Sequence, residues 1–358
     1  GNALASLLVA LMAPILGAIA DRSGARKKFL IFFAYLGVLM TAALFVVQKG
    51  QWALAIFIYG FGIVGFSGAN IFYDALLPHL TSEDTVDYVS GLGYAMGYLG
   101  GGLLFLINVM MTLMPEKFGL ADAGEAVRYA FITVAIWWGG FSLFTVFWVS
   151  ENRGPDIQNG FGHAVRGGFQ QLLGTFRQIR QLKTLFLFLL AYWCYIDGVD
   201  TVIRMAVDYG MSLGFDDNDL ILALLMVQFI GFPAALGFGK LGQRWDVRKA
   251  IFIAIGVYML VTVWAVMMTE KQEFYILAGM IGLVQGGIQA LSRSYYSKLI
   301  PIGRTAEFFG FYNMLGRFAA IIGPALMGGV GLTVRKILMP PDPTAAQILS
   351  VGRLAARW

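Results

Sequence analysis

Charge is what this 358-residue chain has least of. Its 26 basic and 21 acidic residues make up 13% of the whole, where a soluble domain carries roughly 25%, so an ordinary water-soluble domain is excluded. Cysteine is nearly absent. Cys194 stands alone, which rules out an internal disulfide, and with only two histidines, His79 and His163, there is no Cys/His cluster to hold zinc or haem. No metal and no cofactor is expected, and the chain reads as a non-enzyme. It also lacks the GxxxxGK[ST] phosphate loop of a chain that consumes ATP itself. The first apolar stretch has no basic region before it and no small-residue cleavage pattern after it. With Gly1 in first place, it is read as a membrane span of a longer chain and not as a signal peptide.

What is present is long apolar sequence. A membrane-spanning helix needs about 20 residues with few or no charges, and eight charge-free stretches meet that length: 1–20, 29–48, 50–73, 88–115, 129–150, 220–239, 250–269 and 274–292. Two more, 184–209 and 306–332, are of spanning length but interrupted by charges, giving ten candidate spans in an all-α membrane protein.

An internal repeat orders these spans. GAIADRSGARKK (17–28) and GKLGQRWDVRK (239–249) align at one offset, 222 residues, which pairs Gly17 with Gly239, Arg22 with Arg244, Arg26 with Arg248 and Lys27 with Lys249. So long a period means two structural halves. Counted from the two basic loops, one helix is missing at the start and one at the end, so ten of twelve helices are expected here. The divisions are an N-terminal half 1–149, a cytoplasmic central loop 150–183, a C-terminal half 184–334 and a non-cytoplasmic loop or tail 335–358. Up to residue 334, alternate loops hold 16 basic residues against four on the other side, Lys49, Lys117, Arg128 and Lys271, which assigns the basic loops to the cytoplasm. That bias accounts for the net charge of +5, so no nucleic-acid partner is implied.

The GxxxDRxGxRKK loop resembles the signature loop of the major facilitator superfamily. The blocks FYDALLPHL (72–80), VSGLGYAMGYLGGGLL (89–104), YIDGVDTVI (195–203), GGIQALSRS (286–294) and EFFGFYNMLGRFAAIIGP (307–324) resemble its vacuolar-effluxer branch, whose best-known members are autophagy-related amino-acid permeases. Two features depart from the superfamily pattern. Gln243 replaces the acidic residue of the second basic loop, and 51–73 lacks a buried arginine. The resemblance implies two six-helix halves and a conformational latch built from Gly17, Asp21, Arg22, Gly24 and Arg26, with Arg244 and Arg248 as its repeat.

Ionisable groups inside spans cost roughly 2.5 to 3.5 kcal/mol at mid-membrane on insertion scales, so they face protein or water. At about 1.5 Å per residue, Asp197 lies roughly 20 Å into its span and Arg317 roughly 16 Å into its own, with Asn313 one turn away. Asp200, Arg204 and Asp208 recur every four residues, a spacing suited to a ladder of ion pairs. Gly93, Gly97 and Gly101 share a helix face that another backbone can approach. Asp197, Asp200, Arg204, Arg317, Asn313, Gln285, Gln289, Asn70 and Asp74 are the candidates for a substrate or proton pathway, and Asp197 is the expected counter-charge of Arg317. A zwitterion would suit such a site, its carboxylate on Arg317 and its ammonium on Asp197.

The expectation is a multi-pass secondary transporter for a small solute, an amino acid by resemblance, working by alternating access with proton coupling. Its partners would be that solute, membrane lipid and protons, and it would be monomeric. The membrane would be the cell (inner) membrane, or the vacuolar membrane in a eukaryote. On the same fold stand two alternatives, a non-transporting membrane receptor or sensor and a lipid flippase.

Overall fold

The computed structural model describes residues 2–150 and 174–338. Most of the predicted central loop, with His163, and the tail beyond residue 338 lie outside the described residues. Among those described, regular structure is helical throughout: α1 (Asn2–Ser23), α2 (Arg26–Ala43), α3 (Trp52–Leu80), α4 (Val86–Leu113), α5 (Ala123–Trp148), α6 (174–181), α7 (Lys183–Leu213), α8 (Asp217–Arg244), α9 (Val247–Met267), α10 (Lys271–Leu299) and α11 (Thr305–Leu338). Nine of these, α2 to α5 and α7 to α11, are long and apolar enough to cross a membrane, and α1 coincides with the first predicted stretch. Helices are what a lipid environment demands, because only they satisfy every backbone N–H and C=O within one segment. Two of their starts carry a side-chain cap. Asp122 accepts the Glu125 N–H at 2.8 Å while the Glu125 carboxylate accepts the Ala121 N–H at 2.7 Å, a reciprocal cap for α5. Asp246 likewise accepts the Arg248 N–H at 2.9 Å to open α9.

By their contacts the helices fall into two compact units. The first holds α1 to α3, α4 from Leu103, α5, α6, α7 to Ala191, α10 from Tyr296 and α11 to Phe318. Its interior is aromatic. Phe72 on α3 lies 5.3 Å from Phe29 and 5.9 Å from Phe33 on α2, ring to ring. Tyr296, fully buried at the end of α10, donates to the Phe308 carbonyl at 2.7 Å and stacks on Tyr312 at 4.9 Å.

The second unit holds α4 up to Gly102, α7 from Tyr192, α8, α9, α10 to Tyr295 and α11 from Ala319. Leu220, Val261, Met268, Phe274 and Leu277 form one of its buried clusters. Small residues let α4 meet α8: a Cβ on Gly91 would lie 2.7 Å from the Gly239 Cα. Lipid tails are as apolar as the helices, so such close van der Waals packing, and not hydrophobic exclusion, carries the association. On the face marked by the four-residue glycine spacing, nothing lies within 4 Å of a Cβ built on Gly97, while one on Gly101 would lie 3.9 Å from the Gln228 Nε2; the tight backbone approach runs through Gly91, because periodicity marks a face without saying which neighbour it meets.

Candidate functional site

In the first unit, the turn between α1 and α2 is made by Gly24 at φ 55°, in the left-handed region. The turn sets Asp21, whose side chain is 3% exposed, against Arg26, which donates Nε to Oδ1 at 2.6 Å. The same carboxylate accepts the backbone N–H groups of Ala306 at 3.1 Å and Glu307 at 2.8 Å. Those are orphan donors in the first turn of α11, at the positive end of its dipole. Gly17, one turn before Asp21, makes the approach possible, since a Cβ there would lie 2.8 Å from the Glu307 Cα. Hydrogen bonds to a charged group contribute about 1.5 to 3 kcal/mol each, so this is a strong clamp. Arg26 also reaches His79 Nε2 at 3.0 Å, and that nitrogen lies 3.1 Å from the Thr305 hydroxyl. A guanidinium has only donors, so His79 Nε2 accepts.

Four further residues of this clamp escaped sequence reasoning. Glu307 is fully buried; Arg304 donates Nε to its Oε2 at 3.0 Å, and the Thr175 hydroxyl bonds its Oε1. Arg304 Nη1 in turn donates to the Gln178 Oε1 at 2.7 Å, tying α6 to the start of α11. A signal was present: TVDY (85–88) and TAEF (305–308) place Asp87 and Glu307 alike in the first turns of α4 and α11. Arg22 is exposed. In the second basic loop Arg244 is also exposed, and Arg248 pairs at 3.1 Å with Asp246 two residues away, both side chains partly in solvent.

A second polar group of the first unit lies deeper. Phe66, Asn70 and Asp74 recur every four residues on α3, as Phe309, Asn313 and Arg317 do on α11. Asp74 is buried, and Asn313 Nδ2 donates to its Oδ2 at 3.1 Å and to the Phe309 carbonyl at 3.0 Å. The Arg317 guanidinium lies 6.0 Å over the Phe66 ring, within reach of its π face. Asn70, half-buried, occupies the turn between Phe66 and Asp74. Within this unit Asp74 is thus the carboxylate that α3 brings to the Asn313 stripe.

In the second unit Asp197 Oδ1 accepts the Gly323 N–H at 3.0 Å. Gly323 precedes Pro324, whose ring and missing N–H loosen the helical ladder there. Thr201 donates to the Asp197 carbonyl at 2.7 Å, and its hydroxyl occupies the space where a side chain on Gly323 would stand. Asp200 is half-buried. Of the expected ladder, Arg204 and Asp208 are both exposed, and no salt bridge is described between these two among the described residues. Exposed pairs gain little over their separate hydration. Gln285 bonds the Tyr98 hydroxyl, and Tyr98 fills the space over Gly231 and Gly286. Gln289, one turn on, is half-buried.

Known proteins share both pattern and fold. The chain is 40% identical over 326 residues to an uncharacterized MFS-type transporter of Bacillus subtilis, covering 91% of this chain and 76% of that one. It is 24% identical to autophagy-related protein 22 of Yarrowia lipolytica, over 86% of this chain and 66% of the fungal protein, a little under two thirds of its length. The human organic anion transporter MFSD10 superimposes with a TM-score of 0.67 over 99% of this chain and 80% of its own, at 14% identity, which establishes the fold alone. Residues 1–331 match the family model described as vacuole effluxer Atg22 like. This multi-pass membrane chain, an MFS-type transporter, therefore belongs to the vacuole effluxer Atg22-like family of the major facilitator superfamily.

Proposed function

We propose that the protein is a secondary active transporter that carries an amino acid, or a similar small zwitterion, toward the cytosol by alternating access, coupled to protons. The observation that supports this reading best is the Asp74, Asn313 and Arg317 stripe. These are polar groups within two membrane-spanning helices, where insertion cost disfavours them without a task. Arg317 is suited to a carboxylate, which a planar guanidinium grips with two parallel N–H donors. Asp74, sealed from solvent and held by an amide, is a group whose charge is removed by one proton; Asp197, bound to the backbone of a proline-bearing helix, is another. Proton uptake at such a carboxylate would couple the gradient to movement of the two predicted halves, 1–149 and 184–334, about the substrate.

Membership in a family described as vacuole effluxers supports movement of small solutes, and the resemblance to amino-acid permeases supports the substrate class. The test is uptake of a labelled amino-acid pool into proteoliposomes with and without a pH gradient. Accumulation that follows the gradient is expected. Movement of a fluorescent lipid without amino-acid uptake would make the protein a flippase, and binding without turnover would make it a receptor.

A further inference from the structure

In the first unit a single carboxylate, Asp21, holds the start of α11. The start of α4 is built on the same pattern, with Thr85 and Asp87 standing as Thr305 and Glu307 do, and Asp87 is 2% exposed. In the second basic loop the position 222 residues on from Asp21 is the uncharged Gln243, Arg244 is exposed, and Arg248 pairs with its neighbour Asp246, so the loop carries no carboxylate at the place of Asp21. The end of α8 also contributes shape: Gly239 lies against Gly91, and a Cβ on Gly242 would be 3.4 Å from that of Asp87.

The charge comes from α10. Arg293, counted by its sequence position among loop cations, is 4% exposed. It donates Nε to the Ser90 hydroxyl oxygen at 3.0 Å and Nη2 to the Ser90 carbonyl at 3.2 Å, and its guanidinium lies 4.7 Å over the Tyr94 ring. Ser90, fully buried, donates its own hydroxyl to the Ala290 carbonyl in a hydrogen bond of 2.7 Å. One permanently charged group thus grips the second turn of α4 through a hydroxyl, a backbone oxygen and a π face. An ammonium cannot make all three contacts at once.

We propose that Arg293 is the positioning residue of a second clamp, holding the start of α4 against α8 and α10 and setting how often the basic-loop face of the second unit opens. The assignment rests on the alternating-access reading above, in which elements of the two predicted halves must part during each cycle.

The test uses full-length protein in inside-out vesicles, with Cys194→Ser as background and Ala95→Cys, on α4 and fully buried, as reporter for an impermeant maleimide. Arg293→Ala should raise the labelling rate at least tenfold and Arg293→Lys by an intermediate factor. Ser90→Ala and Tyr94→Leu, which remove one contact and keep the cation, should each raise it several-fold and serve if Arg293→Ala does not fold. Wild-type labelling in every folded variant would overturn the proposal, as would a fall in unfolding temperature with labelling unchanged. Labelling needs no substrate, so absence of amino-acid uptake by the wild-type protein would count against the transport reading and leave the clamp to be decided by the reporter.

Discussion

Asn313 gives its amide to Asp74 at 3.1 Å, joining the polar face of α11 to the polar face of α3. One turn further along α11 stands Arg317, over Phe66. The bond gives the stripe an acid and an amide in contact, with a cation one turn on, and the cation is the member whose role can be separated by substitution.

Arg317→Lys should fold like the wild type and bind the transported amino acid at least tenfold more weakly, because a point charge does not reproduce a two-pronged contact. If Arg317 instead serves to neutralise a carboxylate of the stripe, Arg317→Ala should lower the unfolding temperature and Asp74→Ala added to it should restore much of the loss. Thermal unfolding and ligand binding on these variants distinguish the two. Wild-type values for both in Arg317→Ala would remove the residue from the site.

Asp21→Asn should express normally and shift the access equilibrium. The variant keeps an acceptor for the backbone of α11 but loses the charge that strengthens three bonds, from Arg26, Ala306 and Glu307. At about 1.5 to 3 kcal/mol for a charged hydrogen bond, weakening even one corresponds to roughly tenfold in population. Labelling of a cysteine at Ala13, fully buried on α1, measures it. An unchanged rate together with unchanged transport would reduce the loop to a topological signal.

Two glycine substitutions should behave oppositely. Gly17→Val places atoms against backbone, 2.8 Å from the Glu307 Cα at the Cβ position alone, and backbone cannot turn aside. It should open the clamp more than Asp21→Asn does. Gly97→Ala meets nothing within 4 Å and should be neutral or stabilising by up to about 1 kcal/mol through helix propensity. A wild-type access equilibrium in Gly17→Val would show that α1 and α11 need not meet.

Asp197→Asn keeps an oxygen for the Gly323 N–H, so the variant should fold. It should abolish gradient-driven accumulation and preserve counterflow exchange, which moves no net proton. Loss of both activities in a folded protein would assign Asp197 to substrate binding or structure.

The helices were legible because lipid imposes one rule on every span, and a charge-free stretch such as 29–48 has no other way to satisfy its backbone. Asp21 was legible because an acid in a basic loop does little for topology and so invites a local purpose. Glu307, Arg304 and Arg293 were not, since a charge beside a span end looks the same whether it faces water or a neighbouring helix. Tertiary packing decides that, and it leaves Arg244 outside and Arg293 within. The pairing of Asp74 with Asn313 was equally hidden: both were candidates, but nothing in their spacing says that positions 239 residues apart meet.

Among the described hydrogen bonds, Asp21 meets α11 through its peptide groups. That bond depends on where the helix begins, while the side chains of the same turn answer to other partners: Thr305 and Ala306 are fully buried, and Glu307 is held by Arg304 and Thr175. A one-residue insertion between Pro301 and Thr305 would therefore keep every residue type of that turn and still present the wrong peptide to the acid.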